Sequence, residues 1–297
     1  MSILSNPFFF APAAGASGKQ GIFAFGYSAA VTNISNLVST EGVVATDTAG
    51  VGTSRQYIGA CAYGGDKGIF GFGNPTTNIS NLISSSGVIS TDVAAVGTAR
   101  MATMSCTYDT DKGIFAFGYT TGNVSMSNLV SNSGVVASDV TGVGTARSAT
   151  GTATYGEDKG IFAFGYSGSP TNVSNLISNS GVIATDTTGV GTARQYSRGC
   201  TYDTDKGIIA YGYTGSNTAV SNLISNSGVV ATDTAGVGTA RRVTACTAYG
   251  VGTGIYGYGY GTGNFNGSNL VSDAGVISSD VTGVGTARYG LSACTFG

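Results

Sequence analysis

Apolar residues fall in short runs along the whole chain, cut by Gly, Ser, Thr, Asn and Asp, and no stretch sustains a 3.6-residue period. The segment from Arg147 reads RSATGTATY, GEDKG, GIFAFGY, SGSPTN, VSNLISN, SG and VIATD. Short β-branched and aromatic runs between turn residues predict antiparallel hairpins. Four strands, a to d, are therefore expected per unit, with negligible helix. In GIFAFGY, simple alternation puts Phe162, Phe164 and Tyr166 on one face and Ile161, Ala163 and Gly165 on the other. Both faces are apolar, so the strand is expected to be buried on both sides, bulky face against small face, between stacked sheets.

The pattern repeats. Aligned on the Arg of GTAR, the units begin at Arg55, Arg100, Arg147, Arg194, Arg241 and Arg288, with spacings of 45, 47, 47, 47 and 47 residues. Each Arg follows an Asp by eight residues (Asp47, Asp92, Asp139, Asp186, Asp233, Asp280). Each precedes an aromatic by eight (Tyr63, Tyr108, Tyr155, Tyr202, Tyr249, Phe296). Six four-stranded units of this length, sandwiched on both faces, predict an all-β, six-bladed β-propeller of antiparallel blades over residues 21–297. RYGLSACTF at the C-terminal end is an a strand lacking b, c and d, whereas GIFAFGY from Gly21 begins b, c and d without an a. The two are expected to pair and close the ring in a three-plus-one blade, so that GVGTARYGLSACTFG is not a truncation.

Composition narrows the classes. Charged residues are 9% of the chain against roughly 25% in an average protein. The net charge is −2 and the basic residues are scattered, which argues against nucleic acid as a partner. No apolar run approaches the ~20 residues of a membrane helix. Residues 1–20, with MSILSNPFFFAPAAGASGKQ, lack a basic n-region and do not read as a signal peptide. The three Phe of NPFFFAP make this extension a candidate docking segment. Five Cys with no zinc spacing point to free thiols in a reducing cytoplasm. Cys61, Cys106, Cys200 and Cys294 share one repeat position, filled by Ala153 in another unit, as a small packing residue does; Cys246 lies one residue earlier.

The order of motifs in TARSATGTATYGEDKGIFAFGY resembles the kelch repeat, in which an Arg near the start of the innermost strand precedes a β-hairpin whose second strand ends in glycine. The resemblance covers Gly21 to Gly297. It departs from the kelch pattern in having Gly-Tyr (Gly26-Tyr27, Gly118-Tyr119, Gly165-Tyr166) in place of the double glycine, and in having no outer-strand Trp. It implies the strand order, with a–b and c–d turns on one face and b–c and d–a loops on the other. The near-identical units, poor in charge and rich in Gly, Ser, Thr and Asn, also resemble repeats of tailed-bacteriophage virion proteins.

The recurrent Asp and Arg are expected to be structural: at the ends of each d–a connection they either pair with each other, since a guanidinium suits bidentate pairing with a carboxylate, or cap backbone groups between blades. DTDKG, at Asp109 to Gly113 and Asp203 to Gly207, is expected to be a hairpin turn and not a metal site, because the other units lack its carboxylates. With no His there is no Ser–His–Asp relay and no His-ligated metal. ATDTAGVGTAR is similar to the Asp-box turn of sialidases but lacks its D-x-G spacing and aromatic. No catalytic residue and no cofactor is therefore expected.

The units differ in the four positions after each Arg and in the b–c loops, which share one face. That face carries the candidate binding residues Gln56, Tyr57, Met101, Gln195, Tyr196, Arg198, Arg242, Phe265 and Tyr289, rich in the aromatic and Arg types that interfaces favour. The expected function is a non-enzymatic virion structural or adhesion protein (tail fibre, spike or decoration), assembled in the host cytoplasm. Its partners would be a host-surface glycan, other virion subunits or further copies of itself. The alternatives are a cytoplasmic kelch-like scaffold and a sialidase-like glycosidase.

Overall fold

The computed structural model describes residues 18–94 and 96–297, which hold eighteen strands and no helix. The expected role of residues 1–20 as a docking segment falls almost wholly outside the described residues. The strands make six separate three-stranded antiparallel sheets, none closed on itself. Five are continuous in sequence. They are β3 (Gly59–Tyr63), β4 (Lys67–Gly73) and β5 (Thr77–Ile83), then β6 (Met104–Tyr108), β7 (Lys112–Ala116) and β8 (Ser127–Val130). Next come β9 (Gly151–Tyr155), β10 (Lys159–Tyr166) and β11 (Pro170–Ile177). β12 (Arg198–Tyr202), β13 (Lys206–Tyr213) and β14 (Asn217–Ile224) follow, and β15 (Ala245–Tyr249), β16 (Thr253–Tyr260) and β17 (Asn264–Val271) complete the five. The sixth joins distant segments: β18 (Ser292–Phe296) pairs with β1 (Gln20–Tyr27), which pairs with β2 (Val31–Val38). Its register runs from Gln20 opposite Phe296 to Ala24 opposite Ser292.

Two expectations need correction. The fourth strand does not form a ladder; in each unit it meets strand c only at two isolated bridges, as at Ile177–Ile183 and Ser174–Thr187. The cause is the Asn of SNL. Asn175 is fully buried between the two bridges, and its Nδ2 donates to Ala184 O and Asp186 Oδ1, each at 2.9 Å. A side-chain amide stands where backbone ladder bonds would run, so the sheets are three-stranded and the joined one is two plus one.

The alternation in GIFAFGY also breaks. The ladder shifts register between Ala163 and Gly165, and Phe164 takes a left-handed φ of 62°. The bulge adds a residue and turns Phe164 to the side of Ile161 and Ala163, where it packs with Ile209 of the next sheet. Phe162 alone faces the other way and meets Phe117 edge-on, with ring centroids 5.2 Å apart. The same bulge recurs at Phe25, Phe72, Phe117, Tyr211 and Tyr258, all at φ between 59° and 66°.

The first strand of each sheet contacts its counterparts in cyclic order: β3, β6, β9, β12, β15, β18 and back to β3. A cycle of six backbone hydrogen bonds runs alongside. Tyr57 N–H donates to Gly290 O (2.7 Å), Gly290 to Val243 (3.3 Å), Val243 to Tyr196 (3.1 Å), Tyr196 to Ala149 (2.9 Å), Ala149 to Ala102 (3.3 Å) and Ala102 to Tyr57 (2.9 Å). All six donors have φ between 51° and 70°, an unusual conformation for the five that are not glycine and most of all for β-branched Val243. The aromatic that ends each first strand presses on the c–d turn glycine of the next sheet. A Cβ on Gly228 would come within 2.8 Å of the Tyr155 ring, and one on Gly87 within 2.6 Å of Phe296. These contacts place the a–b and c–d turns on one side, as the strand order implied.

Candidate functional site

The six repeat arginines are the largest fully buried side chains, each at 0% exposure. Their surroundings are built by the bulge: the carbonyl released from the ladder accepts the Arg Nε, as in Arg147 to Phe164 O at 3.0 Å and Arg55 to Phe72 O at 2.9 Å. Each guanidinium also lies over the bulge aromatic of the preceding sheet, 3.8 Å from the ring centre for Arg194 over Phe164 and 4.2 Å for Arg288 over Tyr258. Burial pulls Arg55, Arg100, Arg147 and Arg194 down to about 10, so they stay charged at neutral pH.

The ion pairs form, but not between the partners expected. Arg55 faces Asp92 at 4.0 Å, Arg100 faces Asp139 and Arg288 faces Asp47 at 3.8 Å, Arg147 faces Asp186 at 3.9 Å and Arg241 faces Asp280 at 3.8 Å. Arg194 is paired electrostatically with Asp233. The eight-residue link from each Asp to the next Arg crosses to the next sheet, so the Asp serves the Arg of its own sheet. Its shorter contacts are neutral: Asp139 accepts from Thr98 N–H at 3.0 Å and from Asn128 Nδ2 at 2.9 Å. Burial pushes these carboxyls up, but the Thr and Asn hydrogen bonds and the nearby Arg outweigh it, and each Asp titrates below its ordinary range. Twelve residues offered as structural ion pairs thus form a framework.

Beside the hydrogen-bond cycle lies a depression of about 470 Å³ lined by Tyr57, Gln195, Tyr196, Tyr213, Arg242, Val243, Tyr260 and Tyr289. Its rings are mutually packed: Tyr57–Tyr289 at 6.3 Å, Tyr57–Tyr196 at 6.2 Å, and Tyr289 with Tyr260 and Tyr27 at 5.4 Å each. Arg242 stands between Tyr213 (4.6 Å) and Tyr260 (5.2 Å) with no carboxylate in ion-pair reach among the described residues. Burial, reinforced by Tyr196 and Tyr289, pushes Tyr57 up to about 12, so its hydroxyl is a neutral donor and acceptor. The basin is lopsided because the sheets begun by β6 and β9 place only Met101, Ala102, Ser148 and Ala149 at these positions.

Five of the candidate binding residues therefore meet: Tyr57, Gln195, Tyr196, Arg242 and Tyr289. Four do not line the basin. Gln56 is buried in a bridge to Asn74, and Met101 forms the equivalent bridge with Tyr119. Phe265 lies against framework Arg241, 4.8 Å from its guanidinium carbon. Arg198 is buried at 4% exposure on the axis. Sequence reasoning missed Tyr213 and Tyr260, although the Gly-Tyr ending of strand b was visible as the departure from double glycine. It also missed the SNL asparagine, whose signal was its presence in every unit.

The DTDKG turns pair internally, Lys112 with Asp109 at 2.6 Å and Lys206 with Asp203 at 2.7 Å. Cys61, Cys106 and Cys294 are free and buried, which pushes the Cys61 thiol up to about 12. Cys200 and Cys246, expected as thiols, form a disulfide between β12 and β15 because the one-residue offset of Cys246 points it at its neighbour (Cα–Cα 5.6 Å). No protein-family model matches the chain, and no curated protein does.

Proposed function

We propose that the six sheets are the blades of a closed, kelch-like β-propeller, and that the chain is a non-enzymatic recognition module that binds a glycan in the tyrosine basin. The observation carrying this reading is the convergence of five tyrosines, Gln195 and Arg242 in one concave site. Aromatic faces stack on the C–H faces of sugar rings, while phenol, amide and guanidinium groups meet hydroxyls and carboxylates. The lining contains no carboxylate, so the acid–base pair of a glycosidase has no counterpart there. The cyclic contacts and hydrogen bonds support closure of the ring.

Placement in a bacteriophage virion rests on the compositional resemblance of the repeats. A role beside a neighbouring subunit draws on a sixfold set of exposed valines at the c–d turns: Val43, Val88, Val135, Val182, Val229 and Val276, each 63–65% exposed. The test of the main reading is an array of bacterial surface polysaccharide fragments probed with the purified chain, alongside a reducing-end assay on the fragments it retains. Retention without turnover is expected. Turnover would restore the enzyme alternative, and no retention on any fragment would remove the glycan reading.

A further inference from the structure

A second space lies on the axis, an open pocket of about 90 Å³ lined by the first strands of all six sheets. One water-sized sphere needs only ~10–15 Å³. Arg198 stands in its wall at 4% exposure. At the same repeat position the other units carry Gly59, Met104, Gly151, Ala245 and Ser292, so this charge is not part of the repeated framework. The six framework arginines each have an Asp. Arg198 has no carboxylate in ion-pair reach among the described residues. Its Nη1 donates to Ser197 O at 2.9 Å, but its Nε has no partner. Ser105 Oγ, in the wall of the same cavity, is also buried without a partner.

A buried charge without countercharge is costly, and a buried donor without an acceptor adds to the cost. Both deficits are of one kind: positive charge and hydrogen-bond donors facing a small polar space. The cavity communicates with a larger depression of about 370 Å³ on the a–b-turn side. The two share a collar of Ala62, Thr107, Thr154, Thr201, Ala248 and Thr295. The collar is polar and uncharged, and it leads away from the tyrosine basin.

We propose that this axial cavity binds a small monovalent inorganic anion of halide size, held by Arg198 Nε and Ser105 Oγ and reached through the threonine collar. The bound anion neutralises Arg198 and ties β12 to β6 across the axis. Arg198 also interacts electrostatically with Tyr57 and Tyr196, so the site adjoins the tyrosine basin, but its occupancy requires no glycan.

Bromide is the probe. Thermal unfolding is followed from 1 to 100 mM bromide at constant ionic strength, balanced with gluconate, which is too large for the cavity. The expected result is saturable stabilisation of the wild type, with the folded-to-unfolded ratio rising at least tenfold, and no such rise for Arg198→Met. Anomalous scattering from a crystal grown in bromide should place one bromine beside Arg198. An equal bromide response in Arg198→Met, or only water beside Arg198 in that crystal, overturns the proposal. Should Arg198→Met fail to fold, Ser105→Ala carries the test: a several-fold weaker bromide midpoint supports the site, and an unchanged midpoint overturns it.

Discussion

If β18 completes the sheet of β1 and β2, then Phe296 does the work that Tyr155 does inside a sequence-continuous unit. Both end the first strand of a sheet, and both are nearly fully buried, at 2% and 4% exposure. Phe296 packs with Cys294 of its own strand and with Ile22, Ile83 and Ile89, from segments more than two hundred residues away. It also covers the Gly87 turn, as Tyr155 covers Gly228. Truncating a buried aromatic to Ala costs about 3–5 kcal/mol, from lost transfer energy and the cavity left behind. For a chain of this size that is a fall in melting temperature on the order of 10 °C. Phe296→Ala and Tyr155→Ala, melted in parallel by circular dichroism, should therefore lose comparable stability. Deleting residues 288–297 removes Leu291, Phe296 and the buried Arg288 together, each with its partners, and approaches the ~5–15 kcal/mol that holds a typical protein folded. That variant should show no cooperative transition. Were Phe296→Ala to melt within about 1 °C of the wild type while Tyr155→Ala fell by ten, the joining of the two segments would be refuted.

Acid should act through the framework. The six repeat aspartates have folded pKa values below the ordinary carboxyl value, so the unfolded chain takes up protons first as pH falls. Their stabilisation is full above about pH 5 and is lost as pH drops below 4 through the folded values. Melting temperatures across this range should fall in the wild type and fall less in Asp186→Asn, which starts lower because Arg147 loses its carboxylate. In the d–a links, Gly144→Ala should cost more than 1 kcal/mol by thermal melting. Gly144 has φ +79°, and a Cβ there would stand 2.4 Å from Asp186 Oδ1. A neutral Gly144→Ala would show that the link relaxes freely.

Much of this was legible in the chain, because the signals are periodic. The strand runs, the six units and the pairing of RYGLSACTF with GIFAFGY follow from spacing and turn chemistry, whereas the shared face of the variable positions came from the strand order that the kelch resemblance implied. What stayed hidden depends on side chains replacing backbone. Asn175 holds the fourth run off the sheet, and a polar residue in a polar-looking run gives no hint of complete burial. The bulge at Phe164 was masked because aromatic alternation reads the same with or without an inserted residue. The Asp–Arg partners were misassigned because eight residues suggest a local pair, whereas the link crosses between sheets. In the basin, variation between units marked Tyr57, Tyr196, Arg242 and Tyr289. Tyr213 and Tyr260 escaped because Gly-Tyr recurs in five units, and only its neighbours make two of those copies part of a site.

The central claim is that the lopsided tyrosine basin is where this molecule meets its ligand. It is tested most directly by probing the same polysaccharide array with wild type, with Tyr196→Ala/Tyr289→Ala, and with Tyr166→Ala. Tyr166 is a Gly-Tyr copy outside the basin lining. The account predicts that the double variant, folded by its melting curve, loses at least tenfold in affinity for every retained fragment, and that Tyr166→Ala binds as the wild type does. Equal binding by the double variant would contradict it.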